Sequence, residues 1–153
     1  MRSLSSLRAL LNDLPDRLKR IPASRVEIKA GPDKWSPKEE LGHLLDSALN
    51  NHRRIVLIQL ENNPALPGYD GERWVELQRY HERDWSELVH LWGALNQQFL
   101  AAAEAVPEPA WSRTCTIGDS QPLTLKFVVD DYVDHMMHHL RHMGIEVDDL
   151  VAA

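Results

Sequence analysis

Apolar residues recur every three or four positions along four stretches of the chain, which is the spacing of amphipathic helices. Leucines follow this spacing from Leu4 to Leu18, and the aromatic residues Trp85, Trp92 and Phe99 share one apolar face further on. The predicted helices cover about residues 3–20, 37–60, 84–105 and 125–143, with a short helix across 72–80. Four such helices joined by turn-rich stretches predict an all-α protein, a four-helix bundle folded as a single domain over residues 1–153.

Two of the long helices have clear boundary residues in the sequence. Ser36 is a good N-cap, Pro37 suits the first helical position, and Glu39 completes a capping box. Thr124 is the corresponding cap of the last helix, which we expect to end at Gly144. These two helices are therefore the most firmly predicted elements of the bundle.

The connecting segments are rich in helix breakers. Pro15 lies inside the first predicted helix and is expected to kink or restart it. Residues 110–123 contain β-branched side chains around a Gly-Asp pair, which predicts an irregular loop or a short hairpin. The connectors 22–35 and 106–123 are longer than an up-and-down bundle requires, so the sequence predicts long crossover connections.

Charge and composition narrow the class of protein. The net charge is −6 with neutral histidines, and the 17 basic residues are scattered, which argues against nucleic acid as a partner. Cys115 is the only cysteine, so no disulfide within the chain is expected. No apolar run approaches the ~20 residues that span a bilayer, and the first residues lack the apolar core of a secretory signal. A soluble, cytoplasmic protein without a membrane partner is the expectation.

The chain holds eight histidines, and four of them fall within residues 135–142. His135 and His139 are four residues apart, so their imidazoles lie one turn apart and point the same way, as two ligands of one metal ion do. At 100° per residue, His139 falls within the apolar face of its helix and His135 at the edge of that face. A histidine-rich solvent face, or a single core histidine with its neighbours, explains the same residues without a metal.

His43 is less clear from its spacing. The helical projection places it opposite the leucine stripe of the second helix, beside Asp46, Asn50 and Arg54. By itself this pattern favours an ordinary solvent-exposed helix face. The alternative makes it the polar wall of a cleft that is open to a substrate.

A carboxylate-bridged di-iron centre is a competing interpretation of the same bundle. Glu40–His43 and Glu87–His90 both fit the Glu-x-x-His pattern that such centres use. The first helix, however, has no glutamate, and Glu87 and His90 project away from the apolar face of their helix. Because two of the required carboxylates are missing, we set this interpretation aside.

Three segments of the chain resemble the DinB-like superfamily of metal-binding four-helix bundles. They are KWSPKEELGHLLDSALNNHRRI at 34–55, YDGERWVELQRYHERDWSELVHLWGALN at 69–96 and DYVDHMMHHLRHM at 131–143. The family binds a divalent ion through one histidine on its second helix and an H-x-x-x-H pair on its last helix. The resemblance therefore implies one divalent metal ion held by His43, His135 and His139, and it reverses the interpretation of His43 as an exposed residue.

The resemblance implies an activity less specifically than it implies a site. Members of this kind include S-transferases and isomerases that use low-molecular-weight thiols, and proteins described as metal-dependent hydrolases. A three-histidine ion can lower the pKa of a water or stabilise a thiolate, which allows either hydrolysis or thiol transfer to an electrophilic small molecule. The alternative is a non-catalytic, stress-associated protein in which the metal is structural or sensory. Pairing into a homodimer is implied by resemblance only.

The supporting residues and the metal follow from general coordination chemistry. Asp131 lies one turn before His135 and is the candidate acceptor for an imidazole N–H, while Asp46 and Asn50 are candidates for the pocket lining. No catalytic residue is assigned beyond these three candidates. Imidazole ligands suit zinc, nickel, iron and copper, and we place zinc or nickel first and iron next.

Overall fold

The protein is described here by a computed structural model that covers residues 1–151, and most of these residues are helical. The helices are α1 (Arg2–Lys19), α2 (Ala23–Val26), α3 (Pro37–Leu60), α4 (Gly71–Gln78), α5 (Trp85–Glu104), α6 (Leu125–His142) and α7 (Asp148–Val151). The strands are β1 (Ala65–Leu66), β2 (Thr114–Ile117) and β3 (Leu123–Thr124), and short 3₁₀ turns cover Tyr80–Glu82 and Glu108–Ser112. None of the helices in this range is both long and apolar enough to cross a bilayer.

The four long helices α1, α3, α5 and α6 form the predicted four-helix bundle. Helix α3 packs along α5 and α6, and α1 packs along the same two helices, so α1 lies diagonally opposite α3 and α5 diagonally opposite α6. The chain therefore crosses a diagonal of the bundle twice, between α1 and α3 and between α5 and α6. This arrangement confirms the crossover connections predicted from the long connectors. The centre is filled by fully buried residues, among them Leu14, Trp92, Phe99 and Tyr132.

The predicted helix boundaries are confirmed. The Ser36 hydroxyl accepts from the Glu39 amide while the Glu39 carboxylate accepts from the Ser36 amide, which is the complete capping box. Thr124 accepts from the Phe127 amide at the start of α6. After α6, Gly144 has φ of +74°, a left-handed conformation that is costly for residues with a side chain.

Two local features differ from the sequence-based expectation. Helix α1 does not restart at Pro15 but continues from Arg2 to Lys19, because the leucines on both sides of it, Leu11, Leu14 and Leu18, are buried in one core. The 110–123 segment does form the expected hairpin, with Cys115 opposite Leu123, but β2 also pairs with a parallel strand, β1, which no pattern indicated.

Candidate metal centre

The first half of α3 is buried on every side, and this is what brings His43 into the bundle. All residues from Lys38 to Ala48 are buried, and His43 is only 7% exposed. The helix lies in the middle of its neighbours, with α5 and α6 on one side and α4 and the Tyr80–Glu82 turn on the other. The helical projection alone was wrong for His43 because both faces of α3 are covered.

His43, His135 and His139 meet between α3 and α6. The Nε2 atom of His135 lies 3.1 Å from Nε2 of His43 and 3.1 Å from Nε2 of His139. The ligand atoms of all three residues fall within 4.8 Å of one another. The structure thus brings together all three residues that the resemblance implied as ligands.

These separations fit one small divalent ion. With metal–nitrogen bonds of about 2.0–2.1 Å, two ligand nitrogens lie about 2.9 Å apart at a right angle and about 3.4 Å apart at the tetrahedral angle. The two observed distances of 3.1 Å lie between these limits. The donor set is three imidazoles, which suits zinc and nickel and also iron and copper.

Glu40 supports the site from behind His139. Its Oε2 atom lies 2.6 Å from Nδ1 of His139, and the glutamate is only 7% exposed. When Nδ1–H donates to this carboxylate, the Nε2 lone pair of His139 points toward the other two imidazoles. This carboxylate–histidine pairing is typical of residues that bind a metal ion.

Sequence reasoning considered Glu40 only as half of a Glu-x-x-His pattern and missed its contact with His139. The contact joins residues from two helices, so spacing within either helix does not reveal it. Oε1 of Glu40 also lies 3.7 Å from Nδ1 of His142, which is more exposed, and Glu40, His139 and His142 form a second group with ligand spacing. Because the 2.6 Å contact uses Nδ1 of His139, we assign Glu40 to that imidazole as its hydrogen-bond acceptor.

The other two imidazoles have weaker support. Nδ1 of His135 lies 3.5 Å from the Ser47 hydroxyl, and Nδ1 of His43 is buried without a partner among the described residues. The backbone of Gly71 lies directly against His43, since a Cβ built there would be 2.9 Å from its Cε1. The Trp35 ring covers His43 from another side, with the ring centroids 4.8 Å apart.

Burial keeps the imidazoles neutral. Desolvation, followed by the proximity of the other imidazoles, lowers the pKa of His43 to about 3 and that of His135 to about 4. At neutral pH both rings are therefore uncharged, and an uncharged ring has a nitrogen lone pair available for a metal.

The three supporting candidates take different places. Asp131 is exposed and makes no hydrogen bond to His135 in the described range, because Nδ1 of His135 faces Ser47 on α3 rather than the preceding turn of α6. The carboxylate that does contact a histidine of the cluster is Glu40. This corrects the expectation for Asp131.

Asp46 is fully buried three residues after His43, where it fixes α4 and the following 3₁₀ turn onto α3. Its Oδ1 accepts from the Tyr80 hydroxyl at 2.7 Å and from the Gln78 amide, and its Oδ2 has no partner among the described residues. Asn50 donates to the backbone carbonyl of Asp46 at 2.9 Å. Asp46 therefore supports the wall around His43, whereas Asn50 bonds within its own helix. Within residues 1–151, neither residue hydrogen-bonds to the three imidazoles.

A four-helix bundle with crossover connections and three converging histidines from two of its helices defines a class of metal-binding bundle. The chain belongs to this class as a member of the DinB superfamily, whose family model matches residues 2–143.

The known proteins that this chain is similar to share its fold and match it over most of their length. The chain is 26% identical over 139 residues to "Putative metal-dependent hydrolase YfiT" of Bacillus subtilis, covering 88% of this chain and 78% of that protein. It is 24% identical over 137 residues to "Putative metal-dependent hydrolase BH0277" of Halalkalibacterium halodurans, covering 87% and 80% of the two chains. The solved structure of YfiT, described as having "an unusual four-helix bundle topology", superposes with a TM-score of 0.75 at 22% identity, covering 94% of this chain and 87% of the other.

Proposed function

We propose that this protein is a metal-dependent enzyme that binds one divalent ion, zinc or nickel first and iron next, through His43, His135 and His139. It acts on an electrophilic small molecule, either by hydrolysis or by transfer of a low-molecular-weight thiol. The observation that carries the proposal is the convergence of the three Nε2 atoms, with His135 3.1 Å from each of the others. The relatives carry the name "Putative metal-dependent hydrolase", which supports the same class of chemistry.

Three protein ligands favour a catalytic site over a structural one. Structural zinc sites are closed by four protein ligands, whereas catalytic sites use three and leave a position for water or substrate. When bound, a divalent ion supplies Lewis-acid chemistry, lowering the pKa of a coordinated water or thiol. The chain's own residues orient the ligands: Glu40 holds the proton on Nδ1 of His139, and the rings of Trp35 and Tyr69 shield His43 from water.

Metal analysis tests the site itself. The parent protein is expected to bind one equivalent of zinc or nickel, and His139→Ala and His43→Ala are each expected to lose it. If His43→Ala retains the metal content of the parent, the three-ligand site is wrong. His90→Ala, on the exposed face of α5, is the matched control and should bind metal as the parent does.

Two probes distinguish the reactions. Turnover of p-nitrophenyl acetate by the metal-loaded protein supports hydrolysis, and metal-dependent conjugation of cysteine to monochlorobimane supports thiol transfer. Both activities should disappear in His139→Ala. If the parent binds metal but turns over neither these probes nor a wider panel of esters, amides and electrophiles, the non-catalytic alternative replaces the enzyme proposal. The homodimer and the cytoplasmic location stay predictions, and sedimentation equilibrium tests the first.

A further inference from the structure

A line of polar side chains leads away from the three histidines along α3. His43, Ser47, Asn51 and Arg54 are spaced by four, four and three residues, which places them on one face of the helix. Ser47 lies 3.5 Å from Nδ1 of His135, Asn51 donates to the Ser47 hydroxyl at 3.3 Å, and Arg54 donates to Oδ1 of Asn51 at 3.1 Å. The polar line therefore connects the candidate metal centre to a guanidinium group.

Arg54 is half-buried and has no carboxylate partner among the described residues. No ion pair within 4.0 Å joins it to any acidic residue in residues 1–151, although Asp131 is near enough for its charge to act on it. Burial lowers the pKa of Arg54. Of its five N–H donors, those engaged by the protein contact Asn51 and, at 3.4 Å, the carbonyl of Pro67.

Arg113 shows how a partly buried arginine with a structural role looks in the same molecule. Its guanidinium donates to the carbonyls of Ile58 and Glu61 at 2.8 and 2.7 Å and to the Asn62 side chain at 3.2 Å. Arg113 thus closes a loop with several short hydrogen bonds. Arg54 has fewer and longer ones, although desolvating a guanidinium is costly unless its donors are satisfied.

Tyr69 lies near both ends of the polar line, which are His43 and Arg54. Its ring centroid lies 6.4 Å from that of His43. Burial raises the pKa of Tyr69, while the nearby Ser47 hydroxyl and the positive charge of Arg54 lower it. Tyr69 is half-buried, and the segment that carries it also provides the Pro67 carbonyl beside Arg54. The 67–69 segment therefore lies beside His43 at Tyr69 and contacts Arg54 at Pro67.

We infer that Arg54 binds a carboxylate group of the substrate, or of the thiol that acts with it, while the reactive end of the same molecule lies at the three histidines. A guanidinium matches a carboxylate with two parallel hydrogen bonds. Phosphate offers the same geometry, but the charge of Asp131 acts on Arg54 and opposes a doubly charged group more than a singly charged one. His43 and Arg54 are eleven positions apart on α3, about 16 Å along the helix axis. The Arg54 side chain extends back to Asn51, so the ligand spans less than this axial distance.

This inference rests on the proposed function, and a length series of thiols tests it. Mercaptohexanoate and mercaptoundecanoate, each with the mercaptoalkanol of equal length, are titrated into the cobalt(II)-loaded protein, and the sulfur-to-cobalt absorption band gives the Kd. At one of the two chain lengths, the parent should bind the carboxylate about tenfold more tightly than the alcohol of equal length. This is the size expected of a charge-assisted hydrogen-bonded pair. Arg54→Gln should remove the preference and leave the alcohol Kd unchanged, and Arg54→Lys should keep part of it.

Arg53→Gln is the matched control, because it removes the same charge from the adjacent, exposed position. It should keep the full preference. The inference is overturned if the parent binds the carboxylate less than about twofold more tightly than the alcohol at both lengths. It is also overturned if Arg54→Gln and Arg53→Gln have the same carboxylate-to-alcohol ratio of Kd. A purely structural Arg54 would lower the melting temperature when replaced, yet leave the carboxylate-to-alcohol ratio unchanged.

A metal-free titration separates this inference from the proposed function. Octanoate should shift the Nε–Hε resonance of Arg54 in nitrogen-15 spectra of the metal-free protein, and octyl phosphate should bind more weakly. If octanoate moves no arginine resonance and the cobalt protein shows no preference, the carboxylate site is wrong even though thiols bind the metal. If the protein binds no metal but octanoate still shifts Arg54, the proposed function fails and the anion site stands. Tighter binding of octyl phosphate overturns the choice of carboxylate.

Discussion

Replacing Glu40 with Gln tests how the site is built, because the substitution keeps the shape of the side chain and removes its charge. Glu40 is buried and accepts from Nδ1–H of His139 at 2.6 Å. A neutral amide accepts this hydrogen bond more weakly, and in its flipped orientation it donates, which forces the proton of His139 onto Nε2. The tautomer with its lone pair toward His135 is then less populated.

The expected loss is about 10–100-fold in metal affinity, the range measured when such supporting carboxylates are removed. This corresponds to about 1.4–2.7 kcal/mol of binding free energy. Low exposure at both partners favours the upper part of the range, since the side chains of His139 and Glu40 are 13% and 10% exposed. Competition with a chromophoric zinc chelator at pH 7 measures the Kd.

Glu39→Gln is the control that makes this measurement decisive. It removes the same charge one residue earlier, but Glu39 accepts from the Ser36 amide at 2.8 Å and from Lys29 at 2.9 Å. Within residues 1–151, Glu39 makes no hydrogen bond to an imidazole. It should lower the free energy of unfolding by about 1 kcal/mol through the weakened cap and leave the Kd unchanged. A Kd for Glu40→Gln within about twofold of the parent, or equal losses in both variants, would refute the role given to Glu40.

Three further substitutions probe the wall around His43. Gly42→Ala should lower the free energy of unfolding by at least about 2 kcal/mol in urea denaturation, because a Cβ there would lie 2.1 Å from the Tyr80 ring. Gly71→Ala should weaken zinc binding about tenfold with little change in melting temperature, since its Cβ would press on His43 at 2.9 Å. Burial raises the pKa of Asp46, so the folded state holds the Asp46 proton to a higher pH than the unfolded chain does. The stability that this bound proton contributes to the folded state is lost as pH rises. Asp46→Asn should therefore gain stability relative to the parent as pH rises above about 4, measured by denaturation at several pH values.

Each of these predictions has an outcome that contradicts it. Unchanged stability in Gly42→Ala would mean that the Tyr80 ring moves aside at no cost. A Gly71→Ala protein with parental zinc affinity would mean that the ring of His43 is not held by this close approach. A constant stability difference between Asp46→Asn and the parent across the pH range would mean that Asp46 titrates alike in the folded and unfolded states.

Local chemistry made part of the fold predictable. The boundaries of α3 and α6 follow from Ser36, Glu39 and Thr124, because a cap satisfies the amides of the turn that it starts. The i, i+4 spacing of His135 and His139 likewise fixes their common direction within α6. The continuity of α1 through Pro15 was not predictable in this way, because it depends on the core that buries the leucines on both sides.

The sequence by itself determined the four helices, their caps, the long connectors and the paired histidines of α6, since all of these depend on residues within a turn or two of one another. Only the tertiary structure decided that the first half of α3 is covered on both faces, which turns His43 from a residue of a polar helix face into a buried one. It also decided that Glu40 meets His139 and that Arg54 lies beside the 67–69 segment, with no ion pair to an acidic residue in the described part of the chain. These contacts join separate segments of the chain, and their geometry is set by how the helices pack, which no periodicity along one helix encodes.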